Sequence, residues 1–207
     1  MPELLPIFPL PSVVLFPNVF LPLHIFEPRY REMVADALAG DRVIAMVLLR
    51  PGWEQDYEGR PSIYPVGCSG VITHVERLPD GRYNIVLRGL ERVRVGQEDG
   101  GRSYRQAVVT PMPERPTSAD DRSALEHLRV QLESLVVPAG PDVRMAAGIA
   151  DEEIVNTLAQ YLDLDAVEKQ ALLEHDSVLG RARALAELLE MKHLMARHPG
   201  GHGRFTH

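Results

Sequence analysis

The sequence predicts an α+β protein: a small, pleated β-barrel followed by an α-helical bundle. Two observations carry this. Up to about residue 113, apolar residues alternate with polar ones in short runs broken by Pro and Gly; beyond it they recur every three or four positions. Between the two patterns lie Pro111, Pro113 and Pro116, a natural boundary. The expected division is therefore a barrel subdomain over 1–113, with one helix at about 27–39, and a helical bundle over 114–207, its tail disordered from about residue 199.

The elements follow in order. Seven of the 17 prolines fall in the first 28 residues, yet Leu4, Leu5, Ile7, Phe8, Leu10 and Val13–Phe16 between them are apolar. Proline has no N–H for a ladder, so two or three short, bent strands are expected. Pro28 suits the first turn of a helix whose apolar face is Tyr30, Met33, Val34 and Leu38, with Gly40 as its C′ residue. Residues 42–49 read as a buried strand and 50–65 as a loop. Residues 66–78 form a long strand, Pro79-Asp80-Gly81 a turn, and 82–88 the returning strand. Gly89 is expected to break that strand before another at 91–97. Residues 104–110 make the last.

In the second half, Thr117 or Ser118 caps a helix with Asp120 and Asp121 in its first turn and Leu125, Leu128, Leu132, Leu135 and Val136 on its apolar stripe. Pro138 and Pro141 stop it, and 142–150 is a loop or one weak helix. A helix over 151–162 turns Ile154, Val155, Leu158, Tyr161 and Leu162 inward. Asp165 and Glu168 form a capping box for a short helix. The last helix opens at Asp176 and buries Leu179, Ala182, Leu185, Ala186 and Leu189.

Composition narrows the function classes. Apolar residues make up 45% and charged residues 25%, enough for a folded core. No apolar run approaches the roughly 20 residues that cross a bilayer. The N-terminus lacks a secretory pattern, and the single Cys68 has no disulfide partner. A cytoplasmic, non-membrane protein is expected. Net charge is −7: residues 1–113 hold 12 basic and 13 acidic residues (−1), and 114–207 hold 10 and 16 (−6). Nucleic acid is an unfavoured partner, since phosphate contacts demand basic surface.

Motifs for catalysis are missing. The two lysines, Lys169 and Lys192, follow no glycine, so there is no phosphate-binding loop. No dinucleotide fingerprint, nucleophile elbow or zinc-protease helix occurs. His193, His198, His202 and His207 are irregularly spaced in a Gly-rich tail, and no metal site is expected. Cys68 reads as a small buried hydrophobe, and His24, in an apolar strand, as a hydrogen-bonded core histidine. Glu27 is expected to serve the positive end of the helix and Arg29 to pair with an acid of the barrel. Arg82, Arg88, Arg92 and Arg94 read as the solvated face of a sheet, or as an anion or RNA stripe. The loop at 50–65 holds the only tryptophan, Trp53, and Tyr57. Aromatics on a polar loop point to a binding surface, or to a plug over the barrel mouth.

Residues 9–17 (PLPSVVLFP), 21–30 (LPLHIFEPRY) and 80–94 (DGRYNIVLRGLERVR) resemble the N-terminal, substrate-binding domain of Lon protease, a bacterial family, as does the helical stretch 162–174. The resemblance runs from residue 4 to about 195. It implies a PUA-like pseudo-β-barrel followed by a helical bundle, with His24, Glu27, Arg29 and Tyr30 in a structural motif, and recognition of unfolded or tagged polypeptides. The chain ends at His207, without room for the ATPase and protease domains of Lon. The expected function is non-catalytic polypeptide binding, with Trp53 and Tyr57 as candidate contacts. The expected partner is an unfolded or flexible polypeptide, or a protein partner. No cofactor is expected, and the chain is a monomer or weak dimer. The alternative is RNA or small-anion binding through the barrel.

Overall fold

Proline shapes the first strand. A computed structural model describes residues 3–57, 59–136 and 148–197. In it, β1 (Glu3–Leu10) divides its pairing: residues 3–6 lie antiparallel to β6 (Gln106–Pro111), and residues 7–10 lie parallel to β3 (Val43–Leu48). This halved ladder leaves room for Pro6 and Pro9, which have no N–H to give. Two strands arise from the N-terminal segment, the second being β2 (Phe20–Ile25).

The remaining strands are β4 (Val66–Arg77) and β5 (Tyr83–Asp99). Together they make a six-stranded mixed sheet ordered β2-β5-β4-β3-β1-β6, with β5 also pairing with β6. The sheet thus curls round on itself, but it is not the uniform closed barrel the sequence suggested. Along β5, residues 83–88 pair with β2 and residues 93–99 with β6, so two short strands succeed one another beside one long one.

Gly89 does not break β5; the strand runs through it. Leu90 is instead the extra residue of a bulge: Gly70 opposes Gly89 while Ser69 opposes Glu91. The glycine is required by close approach. A Cβ on Gly89 would lie 2.0 Å from the Phe16 carbonyl oxygen, and one on Gly70 would lie 2.9 Å from Leu15 Cδ2. The segment between β1 and β2 crosses the sheet there. Asn18 takes a left-handed turn (φ 62°), donating its N–H to the Gly89 carbonyl, and Gly89 donates to Val19.

Helix α1 (Pro28–Ala39) begins with proline and buries Tyr30, Met33, Val34 and Ala37 in one apolar cluster with strand residues such as Phe8, Ile44, Ile72 and Ile85. Each fully buried side chain of this size contributes about 1.5–3 kcal/mol of transfer free energy. Gly40 does not end the helix in a left-handed conformation; its φ is −114°. Arg42 takes that role at φ 63°, its N–H reaching the Ala37 carbonyl. The turn at Pro79-Asp80-Gly81 forms as expected, with Gly81 at φ 82° and Asp80 accepting the Arg82 N–H.

The helical part contains α2 (Ala119–Val136), α3 (Asp151–Tyr161), α4 (Ala166–Glu174) and α5 (Val178–Arg197). Ser118 and Asp121 cap α2 reciprocally, and Asp165 and Glu168 form the expected capping box of α4. Residues 142–147, His198, His202, His207 and the expected disordered tail lie outside the described residues. Tyr161 does not turn inward; it is 62% exposed, held by its hydroxyl on the Phe20 carbonyl.

Core packing crosses residue 113. Val14, Phe16, Val19, Leu48 and Val66 share one apolar cluster with the buried faces of α2–α5. Polar side chains fasten the same seam. Gln160 of α3 donates to the Val14 carbonyl and accepts the Phe16 N–H, and Asn156, one turn earlier, donates to the Pro17 carbonyl. These two amides supply hydrogen bonds that a neighbouring strand would otherwise give to this non-ladder backbone. Gln170 of α4 does the same for the Val66 carbonyl.

Candidate functional site

Alternation along β2 sets the chemistry of the sheet's outer face. Leu21, Leu23 and Ile25 pack inward, whereas Phe20, Pro22 and His24 point out. Opposite them stand Arg88, Val86 and Asn84 of β5, and beyond those His74 and Glu76 of β4. Pro22, Leu23, His24, His74, Asn84, Ile85 and Val86 line a shallow cleft of about 340 Å³. Phe20 is 51% exposed and Phe26 60%, while Tyr161 of α3 extends the aromatic surface past Phe20.

His24 is therefore not a core histidine. It is exposed and belongs to a surface chain of hydrogen bonds: its Nδ1 bonds Asn84 Oδ1 (2.7 Å), Arg82 Nη1 bonds its Nε2 (3.1 Å), and Asn84 Nδ2 donates to Glu76 (2.8 Å). His24 also stacks on Phe26, with ring centroids 6.2 Å apart. Period-two alternation with Leu21 and Leu23 already placed His24 on the other face of the strand from the core.

A second constellation joins residues the sequence treated separately. Glu27 does not cap α1 with its side chain; it accepts from Arg29 Nε (3.1 Å) and from the Tyr57 hydroxyl. Arg29 pairs with this neighbour rather than with an acid of the barrel. Its guanidinium lies between two rings, 4.7 Å from the Tyr30 centroid and 4.9 Å from that of Tyr57, and it donates to the Tyr57 carbonyl. Burial opposes the Arg29 charge, but Tyr30 and Glu27 outweigh it and raise the pKa; burial pushes Tyr30 up to about 12. Trp53 opens a 3₁₀ turn (Trp53–Asp56), sits half-buried, and meets Tyr57 edge-on at 5.4 Å. The aromatic loop is thus strapped to the start of α1.

The arginine stripe does not exist as a surface. Arg82 is tied to Asp80 and His24, and Arg88 and Arg94 are exposed, but Arg92 is 2% exposed beneath the helices. There its Nε lies 3.1 Å from Glu114, and it donates to the carbonyls of Leu173 and His175. Arg181 of α5, fully buried, donates to the same Glu114 oxygen, to Asn156 Oδ1 and to the Leu172 carbonyl. Burial lowers the pKa of Arg92 and raises that of Glu152 nearby. Two cations on one carboxylate, joined to backbone carbonyls of the helices, form a fastening between sheet and helices, though Arg92 Nε and Glu114 Oε2 are left without a well-directed hydrogen bond. Sequence gave no hint of it, because an arginine in an alternating strand or on a helix flank ordinarily faces water.

Cys68 is fully buried, and burial raises its pKa, so the thiolate is suppressed. Among the described residues no group of His, Cys, Asp and Glu is placed to hold a metal ion. None of their helices is long and apolar enough to cross a membrane.

Residues 4–191 match the family model for the ATP-dependent protease La (LON) substrate-binding domain. The chain is 32% identical over 180 residues to Lon protease 2 of Syntrophobacter fumaroxidans, covering 84% of this chain and 22% of that protein. It is 30% identical over 200 residues to Lon protease 2 of Myxococcus xanthus, covering 92% and 24%. It thus spans about a quarter of the length of the curated relatives it matches. The fold is similar to the N-terminal domain of Mycobacterium avium complex Lon protease, with a TM-score of 0.69 at 17% identity over 91% of this chain and 98% of that one. The matched region is the substrate-binding domain and not the catalytic part of Lon. From its first strand through most of its last helix, the chain belongs to the LON substrate-binding domain family.

Proposed function

We propose that the chain is a non-catalytic, cytoplasmic recognition module for unfolded or flexible polypeptides, and that it engages them on the outer face of β2, β5 and β4. The reading rests on one observation above all: Phe20 and Phe26 stand more than half exposed towards the two ends of β2, whose Pro22 lines a cleft with Val86. Aromatic side chains supply most of the energy in such contacts, and an apolar face rimmed by polar groups marks an interaction site. His24, His74 and Asn84 provide that rim. The division into a barrel subdomain over 1–113 and a helical one over 114–207 belongs to the same proposal, the helices holding the sheet in shape. So does a monomeric or weakly dimeric state.

Trp53 and Tyr57 are the second candidate contact. Half-buried Tyr57 packs on Arg29 and half-buried Trp53 on Tyr57, which supports a role in positioning the loop. Fluorescence anisotropy with a fluorescein-labelled, reduced and permanently unfolded protein, set against its folded form, tests the choice. The expected result is saturable binding of the unfolded form alone, lost in Phe20→Ser/Phe26→Ser and kept in Trp53→Ala. Loss in Trp53→Ala alone would move the site to the loop. No binding at about 100 μM, where Kd values in the micromolar class saturate, would sink the proposal.

A further inference from the structure

Among the described strands, all but one have neighbours on both sides. β1, β3, β4, β5 and β6 each pair with two or more strands, whereas β2 pairs with β5 alone. The other edge of β2 is a row of main-chain groups, and hydrogen bonds at its start fix which way each one points. The Val19 carbonyl accepts from the Gly89 N–H on the β5 side, and the Phe20 carbonyl accepts from the Tyr161 hydroxyl on the opposite side. In an antiparallel pair, successive residues turn their main-chain groups alternately towards the partner and away from it. Leu21, Leu23 and Ile25 therefore bond β5, while Phe20, Pro22 and His24 face outward. Pro22 falls where its missing N–H costs the β5 ladder nothing.

The open groups are the Pro22 carbonyl and the N–H and carbonyl of His24. Among the described residues, none of the three has a hydrogen-bond partner. The His24 ring does not fold over the edge. Asn84, directly across on β5, and Arg82 hold it over the sheet. Tyr161 closes the row at Phe20 by taking that carbonyl. What remains is a short run of donors and acceptors at strand spacing, and a run of this kind fits one chemistry, the main chain of another extended segment. Pro22 and Tyr161 keep the run short, so it cannot grow into a long ladder between copies of the chain.

We propose that the edge of β2 at Pro22–His24 takes the main chain of an extended polypeptide segment as an added strand. This rests on the reading that unfolded polypeptides engage the outer face of β2, and it adds that their backbone is bound as well as their side chains. Either strand direction gives the same three bonds: one ligand N–H to the Pro22 carbonyl, another to the His24 carbonyl, and the His24 N–H to a ligand carbonyl. The ligand amides that bond are two residues apart, so only every second one is used. In an antiparallel ladder these residues stand opposite Pro22 and His24 and share their outer face; in a parallel ladder they are offset by one and point the other way. The substrate class is therefore a short, β-forming stretch without proline at the bonding amides. A helical segment, whose N–H and carbonyl groups are already paired, is excluded.

Fluorescence anisotropy with the full chain and a fluorescein-labelled peptide of alternating Val and Thr tests this, beside two isomers N-methylated on the Val amides or on the Thr amides. The isomers have the same side chains and charge and differ only in which set of N–H groups is lost. One isomer should bind at least about tenfold more weakly than the parent and the other within about twofold, because only one set meets the edge. Hydrogen exchange followed by NMR gives a second readout: the His24 N–H should exchange at least about tenfold more slowly when the chain is saturated with the parent peptide or with a reduced, unfolded protein. Equal losses in the two isomers, or none in either, overturn the edge pairing and leave the apolar face standing, since side-chain recognition does not distinguish the two sets. Unchanged His24 exchange at saturation does the same. Protection of His24 in the free chain that grows with chain concentration assigns the edge to a second copy and also overturns the proposal. Absence of binding by both the parent peptide and the unfolded protein removes the edge and the apolar face together.

Discussion

Replacing Glu114 by Gln removes one charge from the seam between sheet and helices and changes almost no volume. In the native chain, Glu114 Oε1 faces Arg92 Nε at 3.1 Å and also takes Arg181 Nη2. Both arginines are essentially excluded from water. Without the carboxylate, two guanidiniums remain buried with only neutral acceptors: the carbonyls of Leu172, Leu173 and His175, and Asn156 Oδ1. Removing one partner of a buried ion pair costs about 3–5 kcal/mol. Gln keeps one oxygen acceptor, and Glu114 is itself 21% exposed, so the lower end, about 3 kcal/mol, is expected. That is a large share of the roughly 5–15 kcal/mol that holds a domain together. With a urea slope of about 2–3 kcal/mol/M, the midpoint falls by about 1–1.5 M. The shift should be insensitive to salt, because the group lies out of reach of screening ions. Equilibrium urea unfolding, followed by circular dichroism and by Trp53 fluorescence, provides the measurement. A midpoint change below about 0.3 M, or one that 0.5 M salt abolishes, would refute the buried-charge reasoning.

Four further outcomes follow from the same packing. Gly89→Ala should destabilise by about 2–3 kcal/mol in the same melts, because its Cβ meets main-chain atoms of Phe16 that cannot give way. Burial raises Tyr30 to about 12, and burial with the hydrogen bond to Asp36 raises Tyr104 to about 12. A raised phenol adds stability in full below its unfolded value near 10 and loses it as pH climbs to about 12, so unfolding and tyrosinate absorbance should rise together in that window. Cys68 should resist thiol reagents in the folded chain and react only at the rate of opening; rapid labelling would contradict its burial. A fragment of residues 1–113 should fail to give a dispersed amide spectrum, since it exposes Val14, Phe16, Val19, Leu48 and Val66 and strips Arg92 of Glu114.

Much of the architecture was legible because it is local. Period-two alternation marked the first half as strands, the Pro-Asp-Gly turn formed, and the apolar stripe of α5 packed residue for residue. The misreadings share one cause, which is that a non-local approach decided them. Gly89 reads as a breaker until Phe16 is seen lying across it. Arg92 reads as a surface residue until the helices cover it, and Asn156 and Gln160 read as the polar flank of α3 until the bent backbone at 14–17 needs partners. Periodicity reports which side of an element faces its core; it carries nothing about which second element arrives on the other side. The candidate binding residues divide in the same way. The exposed aromatic Phe20 of β2 was within reach of an alternation argument, which was not applied to residues 20–25. The strap joining Glu27, Arg29 and Tyr57 spans thirty residues and leaves no local trace.

The distribution of buried charge bears on how such a chain holds an open apolar face. Exposed Phe20 and Phe26 favour collapse or self-association unless the sheet beneath them is stiff. Stiffness cannot come from β2 itself, which pairs with β5 alone among the described strands. It comes from behind. The Phe20 carbonyl is held by Tyr161, the Pro17 carbonyl by Asn156, and Asn156 in turn accepts from Arg181. Arg181 shares Glu114 with Arg92 on β5, the strand that carries β2. The polar chain therefore closes a loop from the base of the apolar face through α3 and α5 and back to the sheet. Linked networks of this kind resist displacement, because each member loses partners if any one moves. On this account the main work of the helices, beyond the ring of Tyr161, is to keep the apolar face from folding in on itself.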